Sequence, residues 1–91
     1  MELITKKTFL RDWDNIGSKD LNRAIEDLSK RISRAHSISE ISRMKHLRTR
    51  AHGYKIEIHI QAKVYWILCD VLNNKVRFVR IKSEVWCKKN L

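Results

Sequence analysis

A chain of 91 residues is long enough for one modest hydrophobic core and too short for two, so a single domain spanning 1–91 is expected. No stretch approaches the ~18 to 20 apolar residues of a membrane span, and MELITKKTFLRDWDNIGS lacks the apolar centre of a secretory signal, so a soluble, unprocessed, cytoplasmic protein is expected. Twenty Lys and Arg face ten Asp and Glu, a net charge of +10, and the excess is segregated: residues 41–91 hold 12 basic and three acidic side chains, against eight and seven in residues 1–40.

In chain order, ELIT (2–5) is a short strand candidate. Thr8 is placed to cap a helix from about Phe9 to Ile16, which Gly17 ends. Ser18 offers a second N-cap, with Asp20 in the first turn to complement the helix dipole. From there Leu21, Ala24, Ile25, Leu28 and Ile32 recur at helical spacing, predicting a helix over about 19–35 with one apolar stripe and a solvated face of Lys19, Arg23, Glu26, Lys30 and Arg34. SISEI (37–41) reads as a turn or single helical turn, and MKHLR (44–48) as a weak strand. Tyr54, Ile56, Ile58 and Ile60 then alternate with Lys55, Glu57 and His59, the period-2 pattern of a half-buried strand. KVYWILCDV (63–71) is a largely apolar strand suited to the sheet centre. Asn73-Asn74 separates it from KVRFVRI (75–81), and Asn tolerates the positive φ of a type I′ hairpin.

This order predicts an α+β fold with an amino-terminal strand and a helical hairpin packed on one face of a small twisted antiparallel sheet. The other face stays open, with Lys55, Glu57, His59, Lys63 and either Arg77 or Arg80 on it, depending on register. A field of that sign gathers polyanions over a Debye length, ~8 to 10 Å at physiological salt. Phosphate backbones are the commonest such partner and acidic protein segments the next. Cys69 and Cys87 stand 18 positions apart without zinc-ligand spacing and read as reduced thiols, with a single bridge in an oxidising compartment left open. No metal or other cofactor is expected. Trp13, Trp66 and Trp86 read as core or interface anchors.

The stretch ISEISRMKHLRTRAHGYKIEIHIQAKVYWILCDVLNNKVRFVRIKSEVW resembles the RelE/ParE superfamily of bacterial type II toxins. Ile38-Ser39-Glu40-Ile41 with Met44-Lys45-His46-Leu47 is similar to the family's helix-to-strand connection. Tyr54-Lys55-Ile56-Glu57-Ile58 resembles its tyrosine-led strand, Lys63-Val64 the start of the next, and Val76-Arg77-Phe78-Val79-Arg80-Ile81 the last. The resemblance implies a toxin neutralised by a cognate antitoxin. Its activity is either metal-independent, ribosome-dependent cleavage of messenger RNA or, in the ParE-like alternative, poisoning of DNA gyrase. A family member that only binds RNA or antitoxin is the third reading. For cleavage, the resemblance points to Lys63 and Arg80 as catalytic candidates, joined by Lys82, a cation close behind Arg80 on the same strand, and by His59, because histidine is the side-chain type whose ordinary pKa lies nearest neutrality. Lys45, Arg48, Arg50, Lys55, Arg77 and Trp86 are the nucleic-acid-binding candidates. The chain departs from the family pattern at Glu57, in place of a second arginine, at the turn His59-Ile60-Gln61-Ala62, and at Lys82 to Trp86, in place of a late His-Arg and terminal tyrosine.

Overall fold

The computed structural model describes residues 1–91, in the order β1 (Glu2–Thr5), α1 (Lys7–Ile16), α2 (Lys19–Arg34), a 3-10 turn (Ile38–Glu40), β2 (Met44–His46), β3 (Gly53–Ile60), β4 (Lys63–Leu72), β5 (Lys75–Ser83) and α3 (Glu84–Asn90). The architecture is α+β, with three helices and one five-stranded sheet in the order β1-β5-β4-β3-β2. Strands β2 to β5 form the antiparallel meander, and β1 joins β5 in parallel, which makes the sheet mixed.

Local chemistry sets most element ends. Ser18 accepts a hydrogen bond from the Leu21 amide, Asp20 occupies the first turn of α2, and Arg31 and Arg34 the last. Leu21, Ile25, Leu28 and Ile32 are the buried residues of α2, one stripe at the helical repeat. Gly17 joins the two helices at φ 61°, a conformation that costs glycine nothing. The reciprocal bonds of Ser37 and Glu40 form a capping box that starts the 3-10 turn. Asn73 and Asn74 both take positive φ, 51° and 62°, as a type I′ hairpin requires.

Thr8 does not cap α1. That helix begins at Lys7 after Lys6, without a side-chain cap, and the Thr8 hydroxyl donates instead to the Val79 carbonyl. The reason is an edge. β1 pairs only with Lys75 to Phe78, so the rest of β5 has no strand beside it. The chain leaving β1 takes over that edge: the Lys6 amide donates to the Phe78 carbonyl at 2.9 Å, Thr8 bonds Val79, and the Ile81 amide donates to Asp12 Oδ2 at 3.2 Å. Backbone groups that burial would otherwise leave unpaired are satisfied by a helix rather than a strand.

The core lies between the sheet and the helices α1 and α2. Phe9, Leu21, Ile25 and Ile32 meet Ile56, Ile67, Val76, Phe78 and Ile81, all essentially inaccessible to solvent, and the Phe9 and Phe78 rings sit 5.1 Å apart. Phe78 and Ile81 both point inward although three positions separate them, which strict alternation forbids. A register shift resolves this: Cys69 pairs with Phe78 while Leu68 pairs with Arg80, so Val79 is the extra residue of a β-bulge. The open face therefore carries both Arg77 and Arg80, where unbroken alternation admits only one.

Helix α3 lies beyond the elements that hydrophobic periodicity predicts. Ser83 caps it through the Trp86 amide, Glu84 stands in its first turn, and Lys88 and Lys89 in its last, a signature present in the sequence but shorter than two turns of apolar repeat. α3 packs on β4 and β5 on the face opposite α1 and α2. Cys87 is buried beneath it near Lys55 and Lys82, whereas Cys69 faces the main core, so the two free thiols lie on opposite sides of the sheet. Burial, with Asp70 adding to it, pushes the Cys69 thiol up to about 12. Burial raises Cys87 to about 11, with Lys55 and Lys82 opposing and Glu84 reinforcing. Both stay protonated and inert.

Candidate functional site

The open face is ordered by strand register. Lys55 of β3 stands opposite Leu68 of β4, which stands opposite Arg80 of β5; one pair of residues along, Glu57, Trp66 and Lys82 form the next row. His59 pairs with Val64 beyond that row, and Gly53, Asp70 and Arg77 form the row at the other end. Lys45 of β2 stands beside Lys55.

Three carboxylates organise these cations. Glu57 Oε2 lies 3.3 Å from Lys55 Nζ and 3.9 Å from Lys45 Nζ, and its Oε1 lies 3.5 Å from His59 Nε2. Burial works against ionisation of Glu57, but the bond from Lys55, the charges of Lys55 and Lys45, and the bond from His59 outweigh it and hold the carboxyl below its usual range. Asp12 takes Arg80 as a fork, with Nε to Oδ2 at 2.7 Å and Nη2 to Oδ1 at 3.2 Å, and adds Lys82 Nζ at 3.3 Å. Burial opposes ionisation here too, and Arg80, the Ile81 amide and Lys82 together reverse it; Arg80 is raised in return by its bond to Asp12. Asp70 holds Arg77 at 2.9 Å and Arg50 at 3.3 Å.

Trp66 forms the floor between the first two groups. Its indole Nε1 donates to Glu84 Oε2 of α3 at 3.1 Å, and Lys55 Nζ sits 3.5 Å from the centre of its ring. Trp86, at the rim, lies under Lys82 Nζ at 5.3 Å and keeps 37% of its surface exposed. The face thus offers a cationic, aromatic-floored surface on which one histidine already leans on a carboxylate.

Several candidates fall elsewhere than the sequence pattern places them. Lys63 pairs with Ile60 at the end of β4 and shares the parity of Tyr65 and Ile67, so it belongs to the helix side of the sheet and not to the open face. It is exposed and makes no ion pair, and it does not converge with Arg80. Arg80 and Glu57 share the open face without pairing, because Asp12 captures Arg80 from the edge and the lysines capture Glu57. Arg48 lies in the turn after β2, without an ion pair. Arg77 and Arg50 gather at the hairpin end, away from His59. Sequence reasoning missed Asp12, Asp70 and Glu84 as organisers of the site. Asp12 and Asp70 are carboxylates in elements that read as scaffold, and pairing them with Arg80 and Arg77 needs the three-dimensional register. No three His, Cys, Asp or Glu side chains gather as a metal site, and no helix is long and apolar enough to cross a membrane.

No protein-family model and no curated protein matches the sequence. Among solved structures, the chain is similar to a chain of the RelB-RelE antitoxin–toxin complex from Methanococcus jannaschii, with a TM-score of 0.75 and 16% identity over 94% of this chain and 95% of that one. It is also similar to the conserved hypothetical protein HP0894 from Helicobacter pylori in solution, with a TM-score of 0.54 and 17% identity over 93% and 96% of the two chains. The architecture of three helices and a five-stranded mixed sheet is the RelE-like fold.

Proposed function

We propose that this chain is the toxin of a toxin–antitoxin pair, acting in the cytoplasm as a metal-independent endoribonuclease on messenger RNA at the ribosome. The RelE-like fold and the basic face support this reading, and the observation that carries it is the contact between His59 and Glu57 beside Lys55 and Trp66. Cleavage of this kind needs a base for a ribose 2′-hydroxyl, cations for the charge that grows on the attacked phosphate, and an acid, here one of the clustered lysines, that gives a proton to the 5′-oxygen as its bond to phosphorus breaks. Glu57 fixes one ring nitrogen of His59 and leaves the other free to take the proton. Lys55, Lys82 and Arg80 surround the phosphate position, and the exposed face of Trp86 receives a base. An antitoxin with an acidic segment neutralises the same face by charge.

Inducing the chain in cells and mapping messenger RNA 5′ ends tests the proposal. Growth arrest with cuts in codon register is expected, and His59→Ala should slow the cutting about 10²-fold or more, the contribution of one acid–base group. Growth arrest with intact messages and inhibited gyrase selects the ParE-like reading instead. A second reading, binding without cutting, is favoured by one observation: Asp12 already engages both Arg80 and Lys82. Ribosome binding without any new 5′ ends selects it.

A further inference from the structure

At the hairpin end of the open face, a cavity of about 420 Å³ lies between the loop before β3, the β4–β5 hairpin and β1. It is remote from His59: its acidic residue, Asp70, stands four positions from Trp66 on β4, ~13 Å along the strand. Arg50 and Arg77 enter from different elements and meet on the two oxygens of Asp70 at 3.3 and 2.9 Å, Arg50 on Oδ1 and Arg77 on Oδ2. Lys75 joins them at the rim, where it also reaches Glu2 at 3.5 Å. Ile4 and Leu72, two of the few large apolar side chains left exposed, add an apolar surface to the lining.

We propose that this cavity binds a nucleoside phosphate, either as a free nucleotide or as one unit of a single-stranded RNA lying along the open face. Asp70 holds two guanidiniums side by side without neutralising them, and each keeps N–H donors for an incoming anion. Arg50, Arg77 and Lys75 against Asp70 and the Glu2 that pairs with Lys75 leave an excess of one positive charge. A phosphate has oxygens enough to accept from both guanidiniums on the sides that Asp70 leaves open. Ile4 and Leu72 give the ribose and base an apolar surface, and the volume falls within the roughly 300–1,000 Å³ of ligand sites. The RNA source rests on the reading of the face as an RNA surface; the phosphate chemistry stands without it.

The test titrates the intact chain with uridine 3′-monophosphate and with hexauridylate, following amide resonances and affinity across salt concentrations. Shifts at Arg50, Asn73 and Arg77 are expected with both probes. Arg77→Gln and, in case its removal leaves Asp70 disruptive, the exposed Lys75→Gln should each weaken hexauridylate about threefold to tenfold and lower the salt slope by about 0.7 for each phosphate no longer neutralised. Lys6→Gln, with the same change of charge, should leave the resonance pattern in place. Shifts at the cavity with the mononucleotide but no gain for the oligomer make it a free-nucleotide site; a larger gain for the oligomer makes it an RNA subsite. Shifts confined to the region of His59, or an acidic peptide displacing hexauridylate at equal charge concentration, overturn the proposal. Loss of messenger RNA cleavage with nucleotide binding intact counts against the endoribonuclease reading alone.

Discussion

Beneath α1 and α2, the sheet and helices bury 14 side chains, none of them charged; on the opposite face, three carboxylates hold seven basic side chains. The same strands build both faces, one residue to each in turn. Burial on the first is worth roughly 25 cal/mol per Å² of apolar surface, which rewards one arrangement and penalises the rest. Ion pairs on the second, the buried Asp12 apart, keep a basic partner near solvent and are worth about 0 to 1 kcal/mol each, so folding alone does little to dictate where they go. The bulge at Val79 is where the two demands meet: it keeps Phe78 and Ile81 in the core and so delivers Arg77 and Arg80 together to the charged face.

The largest effect expected is therefore on the apolar side. Phe78→Ala empties a fully buried position against Phe9 and should cost about 3–5 kcal/mol, read from the midpoint of chemical denaturation. A loss below about 1 kcal/mol would mean that the core does not depend on the bulged register. Asp12→Ala comes next, because Asp12 is the one charged side chain that is buried. Its removal strands the Ile81 amide and the inner side of Arg80, at a cost of about 2–3 kcal/mol, below that of a fully buried pair since Arg80 keeps 39% of its side chain exposed.

Asp12 also sets a pH signature. Its carboxyl titrates below its ordinary value of 3.8 in the folded chain, so its stabilisation is complete above that value and disappears as pH falls through the lower folded one. Glu57 acts in the same direction from an ordinary value of 4.5. Denaturation midpoints of the wild type should fall below about pH 4.5, and Asp12→Ala should show a shallower fall. An equal slope would remove Asp12 from the acid response.

The difference between the faces also explains what the sequence made legible. Alternation at Tyr54 to Ile60, the stripe from Leu21 to Ile32 and the Asn73-Asn74 turn are local signals, and each matches the element that forms. The parallel pairing of β1 and the edge role of α1 depend on residues about 70 positions apart, which no local period encodes, and the bulge at Val79 interrupts the local period itself. Within the site, Lys55, Glu57 and His59 were readable as one face of one strand. Lys63 was not, because the turn at Gln61, with φ 55°, leaves it opposite Ile60 on the helix side. Asp12 escaped notice because a carboxylate on a short helix looks solvated until its partners are known.

A smaller effect is expected at α3, the one helix on the charged face. Ser83→Ala removes its cap, worth about 1 kcal/mol locally, and should expose Trp66 as Glu84 drifts from the indole. A red shift of the tryptophan emission with little change in the global midpoint is the expected result. An unchanged spectrum would mean that packing on Cys87, and not the cap, holds the helix down.

The smallest effect divides the faces most sharply. Lys63→Ala should change stability by no more than about 0.5 kcal/mol, because the side chain is exposed and makes no ion pair. If the functional surface is the open face, this substitution should also leave hexauridylate affinity, salt slope and messenger RNA cuts as they were, while Lys55→Ala, in the row of the open face next to that of Arg77, weakens binding. Removing either lysine takes away the same charge, so a general electrostatic field predicts equal losses. Only a surface defined by strand parity predicts unequal ones. Equal losses would return the basic half of the chain to a diffuse attractor, and a loss confined to Lys63→Ala would move the working site to the β3–β4 turn.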